Sequence, residues 1–314
     1  MTVRGAARLH FGFLDMGGFS GRRYGSVGLS ISAPGATVSA RASDGLTVTG
    51  GDEKTRKLAR DYAARFTGGA RGADINLKKT IPAHVGLGSG TQLALCVMTA
   101  LRKLYGVRRS VAELAALACR GARSGIGIES FKRGGFIIDA GSENEGFETP
   151  LPLIRRFFPP NWRAVLIIPP AERGLSGEEE DSAISKLVPD SAASAEICRL
   201  VLMKLLPGLM ERKIEVFGDA IERMQRVMGE SFSGVQSGCF ASPMAEDIFV
   251  KMREMGARGM GQSSWGPVLY GFVPDPFTAA LAMEGLRKYF GGLPVRVVSG
   301  RNHGANVSVR RHEQ

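Results

Sequence analysis

A glycine-rich turn between a predicted strand and a predicted helix constrains this chain more than any other feature. Residues 82–92 read P-A-H-V-G-L-G-S-G-T-Q and place small residues where the chain turns. The apolar residues from Leu93 to Leu104 recur at helical spacing and predict a helix directly after the turn. Backbone N–H groups at such a turn, with the positive end of the helix dipole, favour a bound anion. A turn in which glycine only reverses the chain is the alternative.

The length and composition indicate a globular protein. The chain has 314 residues, 44% of them hydrophobic and 23% charged, which is enough for one large domain or two smaller ones. No apolar run approaches the roughly 18 to 20 residues of a membrane span, and the first residues lack the apolar core of a signal peptide. The four cysteines have neither zinc-site nor disulfide-framework spacing. These features predict a cytoplasmic protein with no membrane partner.

The net charge of +11 has two functional explanations. Nucleic acid is one, but the basic residues are dispersed and are not interleaved with aromatic residues that could stack on bases. A small polyanionic substrate would use the same field for steering. The pattern therefore argues against nucleic acid and favours a small-molecule anion, with plain solvation of the surface as the alternative.

The order of the predicted elements indicates an α+β fold. Strands come first, and the order β-β-β-α-β-α-α differs from the regular alternation of a Rossmann domain. Residues 150–160 are rich in proline and arginine, so we place the boundary between an N-terminal domain, 1–155, and a C-terminal domain, 156–314, in that segment. The alternating strands and helices that follow suit a ferredoxin-like half, although the pattern leaves the pairing order open.

Three glycine-containing segments resemble motifs of the GHMP superfamily. Pro82 and Gly86–Ser89 match its phosphate loop, Ser263–Pro267 matches its late glycine turn, and Ser124–Ile126 with Gly134–Gly135 matches the segment that carries a catalytic aspartate in the kinases. The resemblance implies a two-domain GHMP-like fold, with an N-terminal half related to a ribosomal-protein domain and a ferredoxin-like C-terminal half.

Two departures from the kinase pattern argue against ordinary kinase chemistry. The resemblance places the kinase aspartate at Gly127, which has no carboxylate to act on an acceptor hydroxyl. The magnesium-binding glutamate of the kinases also lacks a convincing match, since Glu113 is the one acidic residue on the preceding predicted helix. An ATP-dependent small-molecule kinase and a basic RNA-binding module are kept as alternatives.

A narrower resemblance, to the beta-ribofuranosylaminobenzene 5'-phosphate synthases, accounts for these departures. It is carried by Arg8–Asp15, Arg22–Leu29, Gly88–Gln92, Ser124–Ile128 and Gly174–Glu180. It implies that phosphoribosyl pyrophosphate condenses with 4-hydroxybenzoate or 4-aminobenzoate and releases pyrophosphate and carbon dioxide, an early step of methanopterin biosynthesis. It also implies Mg²⁺ and no ATP. The oligomeric state stays open, with a homodimer as one alternative.

The resemblance and the local chemistry together give the predicted site. His10, Asp15 and Asp139 are the predicted catalytic residues, and Ser89 and Asp139 are the predicted magnesium ligands. Residues predicted to bind the substrates or the pyrophosphate are Arg8, Arg22, Arg23, Ser26, Gly86, Leu87, Gly88, Ser89, Gly90, Thr91, Gln92 and Trp265. A structural role is the alternative for each: a buried histidine, an aspartate at a turn, or a tryptophan in the core.

Overall fold

The fold is described from a computed structural model over residues 1–143, 149–169, 178–232, 234 and 238–309, without the side chains of residues 178–181. A mixed sheet organises the N-terminal half. Its strands are β1 (Thr2–Asp15), β2 (Tyr24–Ala42), β3 (Leu46–Gly50), β4 (Ala73–Lys79), β5 (Phe136–Asp139), β6 (Pro152–Arg156) and β11 (Asn306–Ser308). The main path runs β11-β1-β2-β4-β3, and the long strand β2 also pairs with β5, which in turn pairs with β6.

Four helices belong to this half, three of them in the predicted order, while the fourth, α4, was not predicted. They are α1 (Glu53–Thr67), α2 (Ser89–Leu104), α3 (Val111–Leu117) and α4 (Ile126–Lys132). A capping box begins α3: the Ser110 side chain accepts from the Glu113 N–H, and the Glu113 carboxylate accepts from the Ser110 N–H. Helix α2 is buried over most of its first three turns, so the element that follows the glycine turn is the central helix of this half.

The C-terminal half is ferredoxin-like, as predicted. Its strands are β7 (Arg163–Ile167), β8 (Arg258–Gln262), β9 (Leu269–Val273) and β10 (Val295–Ser299). They pair in the order β10-β7-β9-β8, and every pair is antiparallel. This is the pairing order that the sequence left open.

The helices of this half are α5 (Glu178–Ser185), α6 (Ser191–Leu200), α7 (Leu206–Met210), α8 (Ile214–Phe232), α9 (Ala245–Glu254) and α10 (Pro276–Tyr289). A π-helical segment, Val201–Leu205, joins α6 to α7. None of the helices described is long and apolar enough to cross a membrane.

An aromatic cluster joins the two halves. Phe11 on β1 lies edge-on to Phe272 on β9, with ring centroids 5.8 Å apart, and Phe158 and Phe217 complete the cluster. The predicted boundary at residue 155 falls inside β6, which belongs to the first sheet. The chain also returns to that sheet near its end, because β11 pairs with the start of β1. The halves are therefore tied together by strand pairing as well as by packing.

Candidate active site

The glycine turn has the geometry of an anion-binding loop. Gly86 and Gly88 have φ of +88° and +77°, a region that glycine enters without strain, and Gly88 is the N-cap of α2. No side chain caps this helix, so its first N–H groups face the loop without a side-chain acceptor. The turn thus does more than reverse the chain: it leaves donors and a helix dipole directed at one place.

The late glycine turn packs directly against this loop. The Ser263 hydroxyl donates to the Gly86 carbonyl over 2.7 Å and accepts from the His10 N–H over 3.0 Å. A Cβ on Gly86 would lie 2.0 Å from the Ser263 carbonyl oxygen, and one on Gly266 would lie 2.1 Å from the Gly86 nitrogen. Only glycine permits this approach, so the two motifs, 177 residues apart between Gly86 and Ser263, form one surface.

A cleft of about 760 Å³ opens over the loop. It is bounded by the loop, the first turn of α1, residues 119–124 and residues 264–266. Its charged lining is basic: Arg8, Lys54, Arg120 and Arg123. Within the described residues no Asp or Glu lines it. We call this space the phosphate cleft, because its fixed charges and its helix N-terminus both favour an anion.

Two arginines lie beside the loop, one near Gly88 and one near Gly90. Arg8 donates to the Gly86 carbonyl, and its side chain passes 3.2 Å from the point where a Cβ of Gly88 would lie. The Arg120 guanidinium lies 3.2 Å from the corresponding point of Gly90. Arg8 was predicted from the sequence, whereas Arg120 and Lys54 were missed, because neither belongs to a motif. The one signal for Arg120 is its place directly after the capped helix α3.

The kinase aspartate position also faces the phosphate cleft. Gly127 lines it, and a Cβ there would lie 3.2 Å from the Thr91 methyl group. The Gln92 amide donates to the Gly127 carbonyl over 2.8 Å, so this buried side chain holds α4 against α2 and does not line the cleft. Thr91 fills the space beside Gly127 in place of a carboxylate.

A second, smaller cavity of about 40 Å³ lies behind Trp265. We call it the aromatic cavity, since its lining includes Phe13, Phe232 and Trp265, with His10 among them. The Trp265 and Phe232 rings meet edge to face, with centroids 4.5 Å apart. Trp265 and its neighbour Ser264 line both this cavity and the phosphate cleft, so they form the wall between the two spaces.

His10 is the polar group of most interest in the aromatic cavity. Its side chain is buried, and Nδ1 finds no hydrogen-bond partner among the described residues. Burial, with a smaller contribution from the Arg8 charge, holds the pKa of His10 well below its usual value of 6.5. The imidazole is therefore neutral near pH 7, and its Nδ1 is a buried nitrogen that no described residue hydrogen-bonds.

The remaining predicted residues lie apart from the phosphate cleft. Asp15 accepts from the N–H groups of Gly17 and Gly18 at 2.9 Å, the pattern of a turn-forming aspartate. Arg22 donates to the carbonyls of Ala140 and Gly141 and pairs with Glu143. The hydrogen bonds of Asp15 and Arg22 therefore stabilise nearby loops of the fold.

Arg23, Ser26 and Asp139 belong to the same region. Arg23 donates to the Met16 carbonyl. The buried Ser26 on β2 lies opposite Asp139 on β5 in the strand register. The two Asp139 oxygens accept from the N–H groups of Gly125 and Gly141, both at 2.9 Å. Burial raises the pKa of Asp139 to about 6. This carboxylate fixes the segment that precedes α4, and it lines no part of the phosphate cleft.

The described residues do not fit a protein-held magnesium site. Ser89 lines the phosphate cleft, but Asp139 is held by two backbone donors elsewhere. Across the described chain, no three His, Cys, Asp or Glu side chains are grouped so as to hold a metal ion. The predicted pairing of Ser89 with Asp139 on one metal therefore finds no support in the geometry. Residues 174–177 of the acidic segment lie outside the described chain, as do the side chains of Glu178–Glu180.

The fold and the loop were compared with known proteins. The family model for the N-terminal domain of GHMP kinases matches residues 53–134. The homoserine kinase of Cytophaga hutchinsonii superposes with a TM-score of 0.69 at 20% identity, over 98% of this chain and 96% of that chain. The mevalonate kinase of Methanococcus jannaschii superposes with a TM-score of 0.66 at 14% identity, over 96% and 98%.

Two curated relatives match at higher identity. The beta-ribofuranosylphenol 5'-phosphate synthase of Methanothermobacter thermautotrophicus is 32% identical over 97% of this chain and 98% of its own. That of Archaeoglobus fulgidus is also 32% identical, over 98% and 100%.

The sheet order and the phosphate loop define a member of the GHMP superfamily, as predicted. Within it, the chain belongs to the beta-ribofuranosylphenol 5'-phosphate synthase family. This confirms the narrower resemblance that the sequence motifs carried, and the family is one of enzymes.

Proposed function

We propose that this protein transfers a phosphoribosyl group from phosphoribosyl pyrophosphate to a para-substituted benzoate, with loss of carbon dioxide, in an early step of methanopterin biosynthesis. One observation carries the proposal: a basic phosphate cleft, with glycine at the kinase aspartate position, shares a wall with an apolar cavity that holds a neutral histidine. The relatives are named for a ribofuranosylphenol phosphate, so we take 4-hydroxybenzoate as the first acceptor to test.

The donor is assigned to the phosphate cleft. The pyrophosphate lies on the N–H groups at the start of α2, with Arg8 beside Gly88. As the bond between the anomeric carbon and the pyrophosphate oxygen breaks, its electron pair leaves with the oxygen. Fixed donors that are already in place stabilise the charge that develops there. No carboxylate at position 127 is needed for this departure.

The acceptor is assigned to the aromatic cavity. Its para hydroxyl donates to the unused Nδ1 of His10, while the carboxylate-bearing carbon of the ring faces the phosphate cleft past Trp265. A cavity of about 40 Å³ holds a water molecule, whereas an apolar cavity of about 150 Å³ in a protein core accepts benzene. The ring therefore enters only if a lining side chain moves, and we assign that movement to the wall residue Trp265.

The proposed reaction forms one carbon–carbon bond and breaks two bonds. The ring carbon that bears the carboxylate forms a bond to the anomeric carbon as the pyrophosphate leaves, aided by electron donation from the para oxygen. The bond to the carboxylate then breaks, its electron pair restores the aromatic ring, and carbon dioxide departs. The protein holds the two carbons in contact and keeps water from the reactive sugar.

Magnesium remains a proposal. Because the described residues form no metal site, we place Mg²⁺ on the phosphates of the incoming donor, and no step above depends on a protein ligand to it. A homodimer and a cytoplasmic location also stay predictions.

The test is turnover with defined substrates. Purified protein is mixed with phosphoribosyl pyrophosphate, carboxyl-labelled 4-hydroxybenzoate and Mg²⁺, without ATP, and the labelled carbon dioxide and pyrophosphate are measured. We expect both in equal amounts. The same reaction with 4-aminobenzoate compares the acceptors. ATP-dependent phosphorylation of a metabolite, with no carbon dioxide from either benzoate, would contradict the proposal in favour of a kinase.

A further inference from the structure

Arg120 is placed where a cation is unfavourable unless an anion is bound. Its guanidinium lies 3.2 Å from the Cβ point of Gly90, in the first turn of α2. The N-terminus of a helix carries a positive partial charge, so a second positive group there raises the free energy of the empty protein. Among the described ion pairs none includes Arg120, and no described acidic side chain lines the phosphate cleft.

Arg120 is nevertheless held in place. Its Nε and Nη2 donate to the hydroxyl of Tyr62 over 3.0 Å and 2.6 Å, and Tyr62 is itself buried in the face of α1 that packs on the core. This leaves Nη1 without a described partner, 3.4 Å from the Gly90 Cβ point. The guanidinium is thus fixed by one edge, while its remaining N–H groups stay available beside the loop.

We infer that Arg120, held by Tyr62, binds the pyrophosphate group beside Gly90, as Arg8 does beside Gly88. The inference rests on the proposed function and names a binding residue that no motif contains. Arg8 lies beside Gly88 and Arg120 beside Gly90, so an anion on the N–H groups of this turn has two guanidinium groups close to it. Guanidinium groups bind phosphate oxygens through paired N–H donors. Tyr62 is a positioning residue, because it acts through Arg120.

The experiment compares three variants by calorimetric titration with inorganic pyrophosphate. Arg120→Gln should raise the Kd roughly 10- to 100-fold, the effect of losing a hydrogen bond to a charged group. Tyr62→Phe should raise it less, by about 3- to 10-fold, since the arginine remains but is no longer held. Arg65→Gln is the matched control: Arg65 donates to the sulfur of the neighbouring Cys119, yet it does not line the phosphate cleft. We expect its Kd within about twofold of wild type.

A second measurement separates binding from a structural role. If Arg120 serves the anion, the ligand-free Arg120→Gln protein should melt no lower than wild type, because an unfavourable charge has been removed, while the rise in Tm on adding pyrophosphate should shrink. An unchanged Kd for Arg120→Gln, an equal loss in Arg65→Gln, or a lower ligand-free Tm with a full pyrophosphate response would each overturn the inference.

The same protein distinguishes this inference from the proposed function. If wild type turns over phosphoribosyl pyrophosphate with 4-hydroxybenzoate while Arg120→Gln keeps the wild-type Kd, the arginine assignment fails alone. If wild type binds pyrophosphate through Arg120 but releases no carbon dioxide from either benzoate, the proposed function fails and the binding residue stands.

Discussion

The phosphate cleft and the aromatic cavity differ in how they are made. Backbone N–H groups and the dipole of α2 build the phosphate cleft, which is open at about 760 Å³. Side chains, most of them apolar, form most of the lining of the aromatic cavity, which at about 40 Å³ is smaller than its proposed guest. If donor and acceptor bind as proposed, the donor site is present before substrate arrives, whereas the acceptor site requires a side chain to move. Variants can therefore separate the two sites by which Michaelis constant they change.

The largest effect is expected from Gly88→Val. Gly88 has φ of +77° and an added Cβ would press on the Arg8 side chain at 3.2 Å, so a β-branched residue displaces both the N–H groups and the arginine. We expect turnover to fall on the order of 100-fold or more, as for the loss of transition-state donors. The measurement is the rate of carbon dioxide release, with circular dichroism to show that the fold persists.

The matched control for this variant is Gly106→Val. Gly106 also has a positive φ, +65°, but a Cβ there meets nothing within 4 Å, so it carries the same backbone strain away from the loop. We expect its turnover to stay close to wild type. If both variants lose activity equally, backbone strain explains the loss, and the result would contradict the assignment of the donor to the phosphate cleft.

A smaller effect, confined to the acceptor, is expected from Trp265→Phe. The substitution shortens the wall between the two spaces and weakens the contact with Phe232, while the Gly86–Gly266 approach is untouched. We expect the KM for 4-hydroxybenzoate to change by about 10-fold, the energy of one aromatic contact, with the donor KM within about twofold. Trp162→Phe, at a buried tryptophan that lines neither space, is the control. A change in donor KM alone would show that Trp265 does not belong to the acceptor site.

The smallest effect on turnover is expected from a residue that lines neither space, whose substitution changes the pH dependence of stability instead. Asp139 has a pKa of about 6 in the folded protein against an ordinary value of 3.8, so the native state keeps its proton to higher pH than the unfolded chain does. The free energy of unfolding of wild type therefore falls as pH rises from about 4 to 7. Asp139→Asn cannot ionise, so relative to this variant wild type loses up to about 3 kcal/mol over that range.

Denaturant unfolding of wild type and Asp139→Asn at pH 4.5, 5.5 and 7 measures this difference. If the difference in unfolding free energy between wild type and Asp139→Asn is the same at all three pH values, Asp139 does not titrate in this range. If that difference instead changes with added Mg²⁺ at constant pH, the result would support Asp139 as a metal ligand.

The sequence predicted those parts of the molecule that depend on local pattern. The glycine loop and the helix that follows it are set by neighbouring residues, and both were found where predicted. Arg120 was missed because its role depends on Tyr62, 58 positions earlier in the chain. Asp139 and Arg22 looked like site residues because their types suit chemistry, yet their oxygens and N–H groups are engaged by the backbone of nearby loops. Residue type shows what a side chain can do, and only the fold shows which of its bonding groups remain unused.

The pairing of β11 with β1 has a consequence for how the chain is made. Thr2–Arg4 find their partners Asn306–Ser308 only after the residues between these two segments have been translated. Until then that edge of the first sheet is uncovered, and an uncovered edge is a template for pairing with other chains. Premature termination upstream of β11 thus leaves a nascent N-terminal half with an open edge, and overexpression of such fragments should favour inclusion bodies.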